Sequence, residues 1–149
     1  MAGFRFRLEQ VLRWRQTQRD VEELKVKQLT AALHQVQAQL ARIKATRLAT
    51  ELEARNLHSL GGGDLAALAT YRARMERQEK LLIRDCETRE LRLGEQRKRW
   101  TEAQRSYKLL EKIRDRQRSE FEVEADRRAE ALVAELYLGQ LGRGTEGSG

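Results

Sequence analysis

The sequence predicts an all-α chain: two long helices forming an antiparallel coiled coil, a helical hairpin whose C-terminal helix is the longer. Three observations predict it. Charged residues make up 36% of the chain and aromatics 5%, with no proline at all, whereas ordinary globular domains carry roughly 25% charge. The ten glycines are confined to Gly3, the run Gly61–Gly63, Gly94 and five positions after residue 138, so little interrupts a helix over 4–60 or 64–138. Apolar residues recur on a seven-residue repeat, which argues against disorder, the competing reading for so charged a chain.

The first helix is expected over 4–60. From Leu29 the spacing runs 4-3-4-3 through Leu33, Val36, Leu40 and Ile43, and extends backward to Val26, Leu12 and Leu8. Polar Glu22, Arg19 and Arg15 weaken the middle of that seam. Beyond Ile43 the apolar residues fall at Leu48 and Leu52, a slip of one position. Gly61–Gly63 form a hinge, with Asp64 placed to cap the next helix. That helix, 64–138, carries Cys86, Leu93, Trp100, Tyr107 and Phe121 on one heptad position and Leu68, Met75, Leu82, Ala103 and Leu110 on its partner. Arg89, Gln96, Arg114 and Gln117 break the seam as polar layers. Gly94 costs about 1 kcal/mol relative to alanine, which a close backbone approach would explain. At 1.5 Å per residue the helices would measure about 85 and about 110 Å, and a connection this short folds the second back on the first. Residues 139–149 are expected to be a disordered Gly-rich tail.

Charge is unevenly spread along the chain. Residues 1–60 hold 11 basic and 6 acidic groups, 64–118 hold 16 and 10, and 119–138 reverse the sign with 2 against 6. The overall net charge of +7 invites a nucleic-acid reading. Acidic residues interleave with the basic ones throughout the second helix, however, and aromatic stacking platforms are missing, so no specific nucleic-acid partner is expected. Nor is an enzyme. Phosphate-binding glycine motifs are absent, and His34 and His58 lie too far apart for paired metal ligation on a helix. Cys86 sits on the seam rather than in a reactive setting. No catalytic residue, metal or cofactor is assigned. No apolar stretch reaches the ~20 residues of a membrane span, no signal-peptide core opens the chain, and a reducing cytoplasm is the expected compartment. The segment from Phe4 to Arg15 mixes Phe, Leu and Trp with four arginines, Arg5, Arg7, Arg13 and Arg15, and Arg19 lies just beyond. It leaves three readings open: an anionic membrane surface, a socket on another protein, or continuation of the seam.

The opening Phe4-Arg-Phe-Arg-Leu-Glu-Gln-Val-Leu12, followed by a long Gln/Ala/Leu-rich helix, resembles the start of flagellar FliJ proteins. Trp100, Tyr107-Lys-Leu-Leu-Glu-Lys-Ile113 and Arg114-Asp-Arg-Gln117 are similar to that family's C-terminal helix, and the resemblance covers about residues 4–138. It implies a non-enzymatic stalk and chaperone-like component of flagellar type III export. Such a stalk would insert into the hexameric export ATPase, contact the membrane export gate, handle export chaperones, and lie peripherally at the cytoplasmic side of the membrane through these partners. Carried onto this chain, the resemblance puts the gate-binding surface at Gln39, Ile43, Tyr71, Met75 and Leu82, and residues facing the ATPase ring at Phe4, Phe6, Arg7, Arg114 and Arg116. The chain departs from the family pattern at Thr46, Thr50 and Gln78. Met75 and Leu82 also read as ordinary seam residues. The equivalent stalk of a virulence-type secretion system, or a basic coiled coil binding nucleic acid or a membrane surface, are the alternatives.

Overall fold

The computed structural model describes residues 3–57 and 59–146. Among these, two α-helices account for the fold: α1, Glu9–Asn56, and α2, Gly62–Glu146. They pack against each other as a hairpin with α2 the longer, and no strand occurs among the described residues. The absence of proline and the placement of glycine leave the i→i−4 ladders unbroken along both.

The boundaries differ from the sequence expectation in three places. Residues 4–8 are not α-helical, and α1 begins at Glu9, where the Glu9 amide donates to the Phe6 carbonyl at 3.1 Å. At the connection, α2 takes in Gly62 and Gly63. Asp64 acts from inside the first turn: its carboxylate accepts the Gly61 amide at 3.2 Å, while the Leu65 amide donates to the Gly61 carbonyl at 3.1 Å. This is the reach-back half of a capping box. No glycine has a positive φ among the described residues, so the turn uses no left-handed residue. At the far end α2 runs through Gly139, Gly142 and Gly144 to Glu146; isolated glycines lower helix stability without ending a helix that can continue its ladder. Residues 147–149 lie outside the described residues.

The contacts divide the chain into two compact units. Unit 2, Gln18–Ala103, holds antiparallel stretches of α1 and α2. Its core is a strip of Leu33, Val36, Cys86 and Leu93, with Val26, Leu29, Leu40 and Leu82 packed against it. Those are the heptad positions read from the sequence. The polar break at Gln96 is a built layer: Gln96 is buried, and its side-chain amide donates to the Glu22 carbonyl at 3.3 Å and to the Glu22 carboxylate. Past Ile43 the seam does not slip. Arg47, Thr50 and Ala54 keep the 4-3-4 spacing and are half-buried, while Leu48 and Leu52 point outward. Cross-helix polar bonds hold this register. Arg47 donates to Glu79 at 2.5 Å, Thr50 to the Tyr71 hydroxyl at 3.2 Å, and Arg72 forks onto both Glu51 oxygens at 2.5 and 2.7 Å.

Unit 1 comprises the described residues of Met1–Thr17 and Gln104–Gly149. Phe6 and Leu12 are buried, and the Phe4 ring lies 5.7 Å from that of Phe121. The seam reading of the N-terminal segment, which takes in Phe4, Leu8, Val11 and Leu12, therefore holds for Phe4 and Leu12 and fails for Leu8 and Val11, which are exposed as Trp14 is, while Phe6 is buried without lying on the repeat. Every described side chain of α2 from Phe121 to Thr145 is exposed.

Two stability outcomes follow from the seam. Leu93, 4% exposed, should cost about 2–4 kcal/mol when changed to alanine, whereas Leu91→Ala, 71% exposed, should stay within about 0.5 kcal/mol; urea unfolding of both variants measures the contrast. Gly94 has nothing within 4 Å of the position an added Cβ would take, so no close approach explains it. Gly94→Ala is expected to raise unfolding stability by about 1 kcal/mol, read from the midpoint of the same titration.

Candidate docking surfaces

In unit 2, the seam is too thin to cover the flanks of its own side chains. Between α1 and α2 it leaves an open groove of about 430 Å³, lined by Gln39, Arg42, Ile43, Gln78, Leu81 and Leu82, its exposed lining almost wholly apolar. Leu82 packs on the core strip with one side and forms groove wall with another. Leu81, 64% exposed, lies off the heptad and buries little.

Three of the five residues assigned to a gate contact, Gln39, Ile43 and Leu82, thus share one surface. Tyr71 and Met75 are half-buried and do not line the groove. Tyr71 spends its hydroxyl on Thr50, one of the positions where the chain departs from the family pattern. Leu81 and Arg42 were not singled out by sequence reasoning. An apolar residue adjacent to a seam leucine but off the register was the available signal for Leu81.

In unit 1, a second and chemically different surface forms. Phe4, Arg5, Phe6, Glu9, Arg13, Arg114 and Arg118 line a cleft of about 390 Å³. Antiparallel packing brings the N-terminal arginines beside those of α2, which lie more than a hundred residues away in sequence. Of the residues assigned to the ATPase ring, Phe4, Phe6 and Arg114 are in this cleft. Arg7 is exposed outside it, and Arg116 is turned to Glu120 at 3.2 Å. Nothing in the sequence pattern joins Arg5 to Arg118; Arg114 and Arg118 sit at i, i+4, on one face of α2. Elsewhere in this unit the Arg15 guanidinium lies 4.9 Å from the exposed Trp14 ring.

Electrostatics along the pair are modest, as expected of solvated ion pairs. Among the described residues, the one carboxyl clearly displaced is Glu51. Its bond from Arg72 holds it below the ordinary carboxylate range against a smaller desolvation effect, with Arg55 and Arg47 adding to the pull, and Arg72 is correspondingly raised. No group of three His, Cys, Asp or Glu side chains that could hold a metal occurs among the described residues; His58 lies outside them. No helix of the described residues is long and apolar enough to cross a membrane.

This helical hairpin carries two candidate docking surfaces, a basic, phenyl-walled cleft in one unit and an apolar groove in the other. This chain belongs to the family of flagellar FliJ proteins, whose family model matches residues 4–140. It is accordingly a component of the flagellar export apparatus. No curated protein and no solved structure matches it.

The Glu51–Arg72 fork carries a pH signature. A carboxyl whose folded pKa is depressed contributes stability above its unfolded value, about 4.3, and loses that contribution as the pH falls through the folded value. Glu51→Gln should therefore melt slightly below the native chain at pH 7, and the two melting curves should converge once the pH is taken under the ordinary carboxylate range. A gap that persists in acid would assign the difference to packing instead.

Proposed function

We propose that this chain is the non-enzymatic stalk and chaperone-like component of flagellar type III export. The cleft end of unit 1 (Phe4, Phe6, Arg7, Arg114 and Arg116) enters the hexameric export ATPase, and the unit 2 surface around Gln39, Ile43, Tyr71, Met75 and Leu82 contacts the membrane export gate and couples ATP hydrolysis to export. Export chaperones are further partners, and the protein sits in the cytoplasm, held peripherally at the inner membrane through these contacts. The observation that best supports this reading is the pairing of two unlike outward surfaces on one hairpin. A basic cleft suits an acid-lined ring, and an open apolar groove suits a helix or strand of a second protein.

An ATPase assay with the export ATPase from the same source tests it. Added chain should stimulate hydrolysis and hexamer formation, and the effect should survive moderate salt. Tyr71→Ala and Met75→Ala should weaken gate capture while leaving the ATPase stimulation intact. Absence of both binding and stimulation would sink the stalk assignment. Binding only to nucleic acid, falling steeply with salt, would favour a basic coiled coil of another role.

A further inference from the structure

We propose that the unit 1 cleft is a receptor for a short carboxylate-rich segment of a partner protein, gripped by Arg5 and Arg118. Four guanidinium groups, of Arg5, Arg13, Arg114 and Arg118, line one cleft with a single carboxylate, Glu9. Two of the four are already engaged. Arg13 meets Glu9 at 3.5 Å, and Arg114 meets Asp115 at 3.2 Å. Arg5 and Arg118 have no carboxylate partner among the described residues. Like charges sharing one small volume repel, and an entering anion relieves that repulsion.

Arg118 is also held in place: its guanidinium lies over the Phe4 ring, 5.6 Å from the centroid, and that ring in turn packs on Phe121 at 5.7 Å. A cation fixed by a ring loses less freedom on binding than a free side chain. Its planar fork matches the two oxygens of a carboxylate. The exposed part of Phe4 offers apolar surface to the stem of a glutamate or to an aliphatic neighbour. Nucleic acid fits less well. Phe6 is buried, and Phe4 is already engaged by Arg118 and Phe121, so no aromatic face stands free for a base. The inference rests on the proposed stalk reading only for the partner's identity, the export ATPase; the cleft and its chemistry stand on the residues.

The probe is a fluorescein-labelled peptide alternating glutamate and leucine, titrated against the full chain at about 0.15 M salt. Its glutamine analogue and a single-stranded oligonucleotide of equal charge are titrated in parallel. The glutamate peptide should bind and the glutamine analogue should not. Arg5→Gln and Arg118→Gln should each weaken binding roughly tenfold or more, as expected for loss of a charge-assisted bond, with Arg118→Lys intermediate. Arg128→Gln, whose native side chain pairs with Glu124 away from the cleft, should leave binding unchanged, and circular dichroism should show native helix content throughout. Equal binding of the glutamine analogue, or undiminished binding by the Arg5 and Arg118 variants, would overturn the proposal. So would a tighter complex with the oligonucleotide, or self-association of the chain abolished by Arg118→Gln, which would name a second copy as the occupant. ATPase stimulation by the same proteins separates the two readings. Stimulation without peptide binding removes the cleft and spares the stalk, whereas Arg5- and Arg118-dependent peptide binding without stimulation keeps the cleft and removes the stalk.

Discussion

The rest of the structure depends on a strip of side chains two heptad positions wide. With charged residues at 36% of the chain, no enclosed core is available, and unit 2 is held by Leu33, Val36, Cys86 and Leu93 with a thin margin of flanking leucines and valines. Such a strip specifies pairing weakly, because one leucine layer resembles the next. The polar layers supply what the leucines cannot. Gln96 on Glu22, Arg47 with Glu79, and Arg72 forked onto Glu51 each match one residue of α1 to one of α2. Sliding either helix by a heptad would leave the Gln96 amide buried against the wrong neighbour, at a cost of about 1–3 kcal/mol. Net stabilisation from the exposed pairs is small. Their effect is on register, the role best attested for polar residues at such positions.

A narrow seam also decides where function can reside. It occupies about two positions in seven, so the remaining surface is free for contact. Surfaces nearest the seam are the best ordered, since their side chains are anchored from beneath. Leu82 packs on the core strip and walls the groove; Phe6 is buried and walls the cleft. Each docking surface therefore inherits its rigidity from the packing, which lowers the entropy lost when a partner binds.

The same economy explains what the sequence reveals. The heptad ruler through Leu33, Val36, Leu82, Cys86 and Leu93 reports the core correctly because burial in a two-helix seam is periodic. It misplaces Leu48 and Leu52, since counting apolar residues favours leucine over Arg47 and Thr50, whose fit depends on hydrogen-bonding partners in the other helix. It also stops α2 at Leu138, treating Gly139 as a terminator when the ladder continues past it. Phe6 gave no periodic signal because it precedes α1 and packs from a non-helical segment. The two candidate surfaces were half legible. Gln39, Ile43 and Leu82 do share a groove, and Phe4, Phe6 and Arg114 a cleft. Arg5 and Arg118 became neighbours only through the antiparallel register, which no local pattern encodes.

That register leaves a question of charge within unit 1, where an acidic, exposed stretch of α2 follows directly on a basic cleft. Glu120, Glu122, Glu124 and Asp126 begin only two residues beyond Arg118, yet they do not neutralise it. Glu122 stands at i+4 from Arg118, the spacing at which a helix pairs its own charges, but the Arg118 guanidinium lies over the Phe4 ring instead, 5.6 Å from its centroid. Other carboxylates of the stretch satisfy arginines one turn away, Glu120 with Arg116 and Glu124 with Arg128. The local pairs engage Arg116 and Arg128 outside the cleft and Arg13 and Arg114 within it, and leave Arg5 and Arg118 without a carboxylate partner among the described residues. The Phe4 ring, rather than any shortage of acidic residues, holds the Arg118 guanidinium at the cleft, open to a carboxylate that arrives from another chain.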